Sequence, residues 1–449
     1  MIFIISKIIR LEGYQICSVD GKVTLALMDV VDRRKIITMI RRTLNLVDDR
    51  LVDHGVKTAF VLRNMMQAEG KLDDKEQQRL RMLAVFHDIG AYRSEEINKI
   101  VKFETEDVWA HAVNSYLFIR DFFPDELSKI VLYHHADYNV NWHESDYVMH
   151  YSQMLHIADR VCIWHDNIKG SKQALLDYLE KSEGYAFSPY VTELFKKADR
   201  LYGIWDKLSE KDILNSFPQN EFLERREAED YLYILVNSID FRSRSTVIHT
   251  RSVMEMALEI ANIMNLSDSE KKKVYFGALL HDLGKIGTPL SILEKPGKLE
   301  SREMEIMRQH VVLSKMIMDG CVDDEVVRIA TRHHEKPNGN GYPLGLTEKD
   351  LTVLERLLAV ADVMSALCMA RSYKDAFSKE KTVGILKSMA DSNDLDKDIV
   401  KIATDNFDRI IEKTRMKVIP VQQEYESMPE RFKKVMDECI SKAGNKVYI

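Results

Sequence analysis

The sequence predicts an all-α protein made of two related helical bundles, and three observations carry that prediction. Helix breakers are scarce in the 449 residues, with 18 Gly and 9 Pro, while Leu, Met, Ile, Lys and Glu abound. From about Val30 the apolar positions fall at helical spacing: Ile36-Ile37, Ile40, Leu44 and Leu46-Val47, then Val56, Ala59-Phe60 and Met65-Met66. The histidines also repeat. His54 pairs with His249 at an offset of 195 and His87-Asp88 with His281-Asp282 at 194. His111 pairs with His310 and His134-His135 with His333-His334, both at 199, and Asp159 pairs with Asp362 at 203. Ten of the fourteen histidines obey this pattern, and the slow drift of the offset is what loop insertions give.

Taken in order, residues 1–30 alternate apolar and polar positions around Gly13 and Asp20-Gly21, which predicts a small hairpin. Residues 31–215 form the first bundle and 216–415 the second, with the boundary in the polar stretch Ser216-Phe217-Pro218-Gln219-Asn220. Ser188-Pro189 and Asp396-Lys397 start matching late helices, so each repeat closes with a helix beyond its aspartate. Ser301 is the expected N-cap of the helix that carries His310, with Glu303 in its first turn. Residues 416–449 hold a further helix from Glu430 to Ala443, with no chemistry assigned.

A net charge of −7 argues against a surface for polymeric nucleic acid, so phosphate recognition is expected to be local. The five cysteines (Cys17, Cys162, Cys321, Cys368, Cys439) are far apart and form no C-x-x-C, which suits reduced, buried thiols. No apolar run reaches membrane-spanning length, and Met1-Ile2-Phe3-Ile4-Ile5 is too short for a signal-peptide core. A cytoplasmic protein without membrane partners is expected.

The chemistry centres on His281-Asp282-Leu283-Gly284-Lys285, at the end of the apolar run Val274 to Leu280. An imidazole offers one nitrogen to a metal, and the adjacent carboxylate can bridge to a second ion. On a continuing helix Lys285 shares their face and can hold an anion against the metals. With His249, His310, His333, His334 and Asp362 the set holds five imidazoles and two carboxylates, too many for one tetrahedral ion. It suits two ions bridged by Asp282, and mixed nitrogen and oxygen donors favour iron or manganese. Two such ions have a clear use in phosphodiester hydrolysis. Downstream, Glu335-Lys336-Pro337-Asn338-Gly339-Asn340-Gly341-Tyr342-Pro343 reads either as a plain surface turn or as a loop whose amides approach a phosphate while Tyr342 stacks on a base.

These motifs, His281-Asp282-x-Gly-Lys285, His310, His333-His334-Glu335-x-x-Asn-Gly-x-Gly341-Tyr342-Pro343 and Ala361-Asp362, resemble the HD-GYP family of HD-superfamily phosphohydrolases over roughly residues 236 to 415. The resemblance implies an all-helical fold, a centre of two or three metals, commonly iron or manganese, and hydrolysis of a cyclic dinucleotide, chiefly cyclic di-GMP. It implies that His249, His281, Asp282 and Asp362 hold one ion and Asp282, His310, His333 and His334 the other. Lys285 would contact the scissile phosphate, and Gly341, Tyr342 and Pro343 would form the substrate-side loop. Arg356 and Arg371 sit where relatives carry arginines, for phosphate binding or for structure. Some relatives place a third-metal glutamate where this chain has Ser245, so two ions and a linear product are expected; Asn338 stands where an aspartate is common.

The first repeat is similar to the wider HD superfamily. It keeps His54, His87, Asp88, His111, His134, His135 and Asp159, but Ala91 replaces the lysine and Ala136 to Trp142 contains no glycine-rich loop. A metal-occupied regulatory domain is the expectation, with hydrolysis of another phosphoester as the alternative. For the whole chain the expectation is a cyclic dinucleotide phosphodiesterase giving linear pGpG from cyclic di-GMP, or on to GMP, with room for a homodimer. The alternatives are a cyclic di-GMP-binding effector of low turnover and a phosphohydrolase acting on another nucleotide.

Overall fold

A computed structural model describes residues 35–46, 53–91, 109–168, 170–210, 213, 225–240, 244–369 and 377–443. Among these every regular element is helical, and β pairing is limited to the isolated bridges Glu183–Phe187 and Asn338–Thr347. The expected hairpin of residues 1–30 and the boundary at 216–220 lie outside the described residues.

A short helix α1 (Ile36–Leu44) comes first. The first repeat follows with α2 (His54–Glu69), α3 (Asp74–Phe86), α4 (Trp109–Ile119), α5 (Asp125–Leu132), α6 (Asp146–Ile163), α7 (Lys172–Lys181), α8 (Pro189–Tyr202) and a single turn α9 (Ile204–Lys207). The starts are written locally: Asp73 accepts from Glu76 N, Ser145 from Val148 N and Ser171 from Ala174 N. Pro189 follows Ser188 as the first residue of α8, which ends at Gly203 with φ 63°.

The second repeat runs through α10 (Arg225–Asp240), α11 (Arg244–Ile263), α12 (Asp268–Leu280), α13 (Leu290–Leu293), α14 (Ser301–Met318), α15 (Asp324–Thr331), α16 (Val353–Cys368), α17 (Lys379–Asp391), α18 (Lys397–Asp405) and α19 (Phe407–Ala443). Capping boxes start α12 (Ser267 with Glu270) and α16 (Thr352 with Glu355). The cap expected at Ser301 falls one residue earlier: Glu300 caps the Glu303 amide while Glu303 returns to the Glu300 amide, leaving Ser301 as the first helical residue. The histidine repeat extends to the elements. α2 matches α11, α3 matches α12, α4 matches α14, α5 matches α15, α6 matches α16, α7 matches α17, and α8 matches α18.

The helices leading into the two His-Asp pairs are buried all round at their ends, Leu80 to Phe86 in α3 and Val274 to Leu280 in α12. Burying each large side chain there stabilises the fold by roughly 2 kcal/mol, so the following His-Asp pair is fixed by core packing.

The chain folds as two compact units whose ends differ from the sequence-based partition. The second-repeat unit takes residues 225 to Ser427 and also the described residues up to Thr43. Arg42 explains part of this: its Nη1 donates to the carbonyls of Met316 (3.2 Å), Ile317 (3.2 Å) and Asp319 (2.6 Å) at the end of α14, where helical acceptors lack partners. Lys35 Nζ adds a bond to Gly320 O at 2.6 Å. The first-repeat unit takes α2 to α9 and the end of α19 from Met428. There Cys439 and Ala443 enter the core formed by Trp109, Tyr133 and Trp142, with Phe432 and Met436 against it, and Lys442 bonds Glu144 at 2.7 Å.

Candidate metal centre

Helix α12 ends at Leu280, His281 keeps helical dihedrals, and a 3₁₀ turn over Leu283–Gly287 follows. Lys285 therefore lies on a tightened turn rather than on the continuing helix expected, yet its Nζ reaches Asp282 Oδ2 at 2.5 Å. The turn is pressed against α14: a Cβ on Gly284 would lie 1.9 Å from His310 O. The Gly284 amide donates to Ser314 Oγ (2.8 Å), and that hydroxyl donates to His281 O (3.0 Å). The first repeat copies the device, with Gly90 N donating to Ser115 Oγ at 2.9 Å. Sequence reasoning missed these serines, although each lies four residues after its histidine in both repeats.

In the second repeat His249, His281 and Asp362 form one cluster, His281, Asp282 and His333 a second, and His310, His333 and His334 a third; donor atoms within each lie within 4.8 Å of one another. His249 Nε2 stands 3.0 Å from Asp362 Oδ1, and His281 Nε2 3.0 Å from Asp282 Oδ2. Asp282 Oδ1 lies on the other side, 3.5 Å from His310 Nε2. The seven predicted residues are thus gathered into three clusters joined through His281 and His333.

The helical backbone orients the rings. His281, His310 and His333 each place Nδ1 on the carbonyl three residues back, at 2.7, 2.6 and 2.6 Å. A carbonyl only accepts, so the proton sits on Nδ1 and the Nε2 lone pair faces the centre. His281 Nε2, His310 Nε2, His333 Nε2 and Asp282 Oδ1 are buried without a hydrogen-bond partner. Burial pushes His310 down to about 4 and His334 to about 3, so both are neutral at pH 7. Burial opposes ionisation of Asp282, yet the neighbouring His281 and Lys285 hold its carboxyl well below the usual range. Buried imidazole and carboxylate donor atoms that converge without hydrogen-bond partners fit divalent cations.

Over this cluster lies the glycine-rich loop. The Tyr342 amide donates to His334 O (3.1 Å), and its ring packs on His334 with centroids 4.7 Å apart. The Arg308 guanidinium sits 4.8 Å from the centroid of the Tyr342 ring, a contact the sequence did not predict. Buried Glu335 latches the loop, accepting from Leu344 N (2.6 Å) and Leu346 N (2.8 Å). Gly341 passes so close to Glu335 that a Cβ would meet its Cα at 2.5 Å. Asn338 donates to Ser392 O and Asp394 Oδ1, two bonds that an aspartate at that position cannot donate. Pro343 is exposed beside Tyr342.

Of the two arginines expected to serve phosphate binding or structure, Arg356 pairs its guanidinium with Asp396, the α18 cap, and with Glu348. Arg371 and the side chain of Ser245 lie outside what is described.

The first repeat builds a related set. His54, His87, Asp88 and Asp159 form one cluster and His111, His134 and His135 another. His87 and His134 place Nδ1 on Ala84 O (2.8 Å) and Val131 O (2.6 Å), as their counterparts do.

Two family models match this chain, each described as an HD domain, over residues 51–170 and 234–399. The chain carries two HD domains. The second carries the Gly341-Tyr342-Pro343 loop folded on its centre. The 3'3'-cGAMP-specific phosphodiesterase 1 of Vibrio cholerae is 24% identical over 398 residues, 84% of this chain and 92% of that protein. The cyclic di-GMP phosphodiesterase response regulator RpfG of Xanthomonas campestris is 36% identical over 167 residues, 36% of this chain and 44% of that protein. The chain thus spans nearly all of the first relative and under half of the second. A solved structure of a V. cholerae cyclic GMP-AMP specific phosphodiesterase, V-cGAP3, shares the fold of the HD domains with a TM-score of 0.54 at 16% identity, covering 84% of this chain and 98% of that one. Among the described residues no helix is long and apolar enough to cross a membrane.

Proposed function

We propose that the second HD domain hydrolyses a cyclic dinucleotide of the cyclic di-GMP or 3'3'-cGAMP class, opening one phosphodiester to give the linear dinucleotide. The observation that carries this reading is the buried set of partnerless Nε2 and carboxylate lone pairs around Asp282, with Lys285 beside it and Tyr342 over it. The names of the relatives support the substrate class.

His249, His281, Asp282 and Asp362 are assigned to one divalent ion and Asp282, His310, His333 and His334 to a second, iron or manganese by donor type. Such a pair of ions, when bound, lowers the pKa of water and neutralises phosphoryl charge. The protein does the rest by positioning. Lys285 presents an ammonium next to the Asp282 carboxylate, where an anionic phosphoryl oxygen would gain a charge-assisted hydrogen bond. The loop latched by Glu335 holds the Tyr342 ring beside His334, a surface on which a purine can stack. Ser245 offers no carboxylate for a third ion, so the reaction is assigned to the linear product.

The test is product analysis on anaerobically prepared full-length protein given cyclic di-GMP or 3'3'-cGAMP with Mn²⁺ or Fe²⁺. Hydrolysis lost in His281→Ala/Asp282→Ala and kept in His87→Ala/Asp88→Ala supports the assignment. Binding without product from metallated wild type would make the chain an effector, and the reverse mutant pattern would move catalysis to the first domain.

A further inference from the structure

The two HD domains share their donor residues but not the wiring of the last histidine. In the second domain His334 Nδ1 faces the carboxylate of Asp362, 3.8 Å from Oδ2. In the first domain His135 Nδ1 faces a cation: Arg160 Nη2 lies 3.2 Å away. A guanidinium only donates, so His135 accepts on Nδ1 and carries its proton on Nε2. That Nε2 lies 3.0 Å from His111 Nε2, so its N–H donates to the lone pair that His111 would give a metal. The relay Arg160 to His135 to His111 therefore occupies two of the three imidazoles in the outer cluster. The orphaned atoms agree: His310 Nε2 is partnerless in the second domain, whereas in the first His111 Nε2 is not among them. The inner cluster keeps His54 Nε2, His87 Nε2 and both oxygens of Asp159 without hydrogen-bond partners, while on the outer side only His134 Nε2 and Asp88 Oδ1 remain so. Val363, one residue after Asp362, holds the place of Arg160 in the second domain and has no polar group to start such a relay.

We propose that the first HD domain is a one-ion site. His54, His87, Asp88 and Asp159 hold a single divalent cation, and the Arg160–His135–His111 relay closes the position a second ion takes in the other domain. The fixed positive charge of Arg160 reinforces the closure by repelling a further dication. With one ion this domain has no two-ion clamp for the attacking and leaving oxygens of a phosphodiester. The inference uses the two-ion reading of the second domain only for comparison.

Metal counting on the full chain loaded with Mn²⁺ tests it, with the first domain's share read as wild type minus His87→Ala/Asp88→Ala, or minus Asp159→Asn if that double variant does not fold. The expected share is one ion per chain. Arg160→Val is expected to bind one more ion than wild type, and Arg160→Val/His135→Ala to return to the wild-type count. Electron paramagnetic resonance of the His281→Ala/Asp282→Ala chain gives a second readout: a six-line signal of an isolated Mn²⁺ is expected, turning into a coupled-pair spectrum when Arg160→Val is added. A share of two ions or none in the wild type overturns the proposal, and so does an unchanged count in Arg160→Val. A failure of the two-ion reading of the second domain appears separately, as the number of ions lost in His281→Ala/Asp282→Ala.

Discussion

Asp282 is the residue at which the centre is most exposed to a single change, because each of its oxygens serves a different group of histidines. Asp282→Asn is expected to lose both ions of the second domain and all hydrolysis, checked by metal analysis alongside activity. Lys285→Ala makes the opposite split. Its ammonium is assigned to substrate charge, so kcat falls by about 10²–10³ while the metal content stays. Protons act on the same atoms. Burial holds His310 at about 4 and His334 at about 3, below the value of about 6.5 in an unfolded chain. As pH falls from 6.5 toward 4 the unfolded chain takes up protons at these positions that the folded chain refuses, so their contribution to stability declines. In chelated protein the Tm of wild type is expected to drop more steeply over that window than the Tm of His310→Asn. The residues that cluster were legible in the sequence because they recur as dipeptides and at near-constant offsets. Arg308 and Arg160 were not, since their partners are set by how helices face one another.

At the scale of elements the turn after each His-Asp pair does the positioning. Gly284→Ala drives a Cβ into the His310 carbonyl, and overpacking against backbone costs about 1–3 kcal/mol. A lower Tm together with weaker ion binding is the expected result, read by thermal melts and metal titration, whereas Ser314→Ala removes only the hydrogen bonds of the turn and should do less. The loop behaves differently. Glu335→Gln keeps the shape but replaces a carboxylate that accepts from two amides with one acceptor and one donor, so KM for the dinucleotide should rise with ion content unchanged. Helix order, the repeat and the late helix of each bundle were readable from apolar spacing and caps. The 3₁₀ turn at Lys285 was not, because helical periodicity carries no mark of a tightening that the Gly284–Ser314 contact imposes across the fold.

On the scale of the molecule, the partition of the chain was the least legible feature. Tandem histidines pointed to two consecutive bundles, and each bundle does gather its histidines and aspartates into clusters. What escaped was that α1 belongs to the second-repeat unit and the last turns of α19 to the first. Both segments are ordinary amphipathic helices, and nothing in such a stripe names the core it will cover. Removing residues 428–449 is therefore expected to destabilise the first HD domain. It uncovers Trp109 and Trp142 from Phe432, Met436 and Cys439, seen as a red shift and gain of quenching in tryptophan fluorescence, with the ions of the second domain retained. The same arrangement sets a timetable for biosynthesis. A ribosome delivers the first bundle long before the helix that completes its aromatic core, and it delivers α1 before the bundle that α1 will join. The first bundle therefore cannot reach its final packing until the last turns of α19 have been made, and α1 stays without its core until the second bundle has followed.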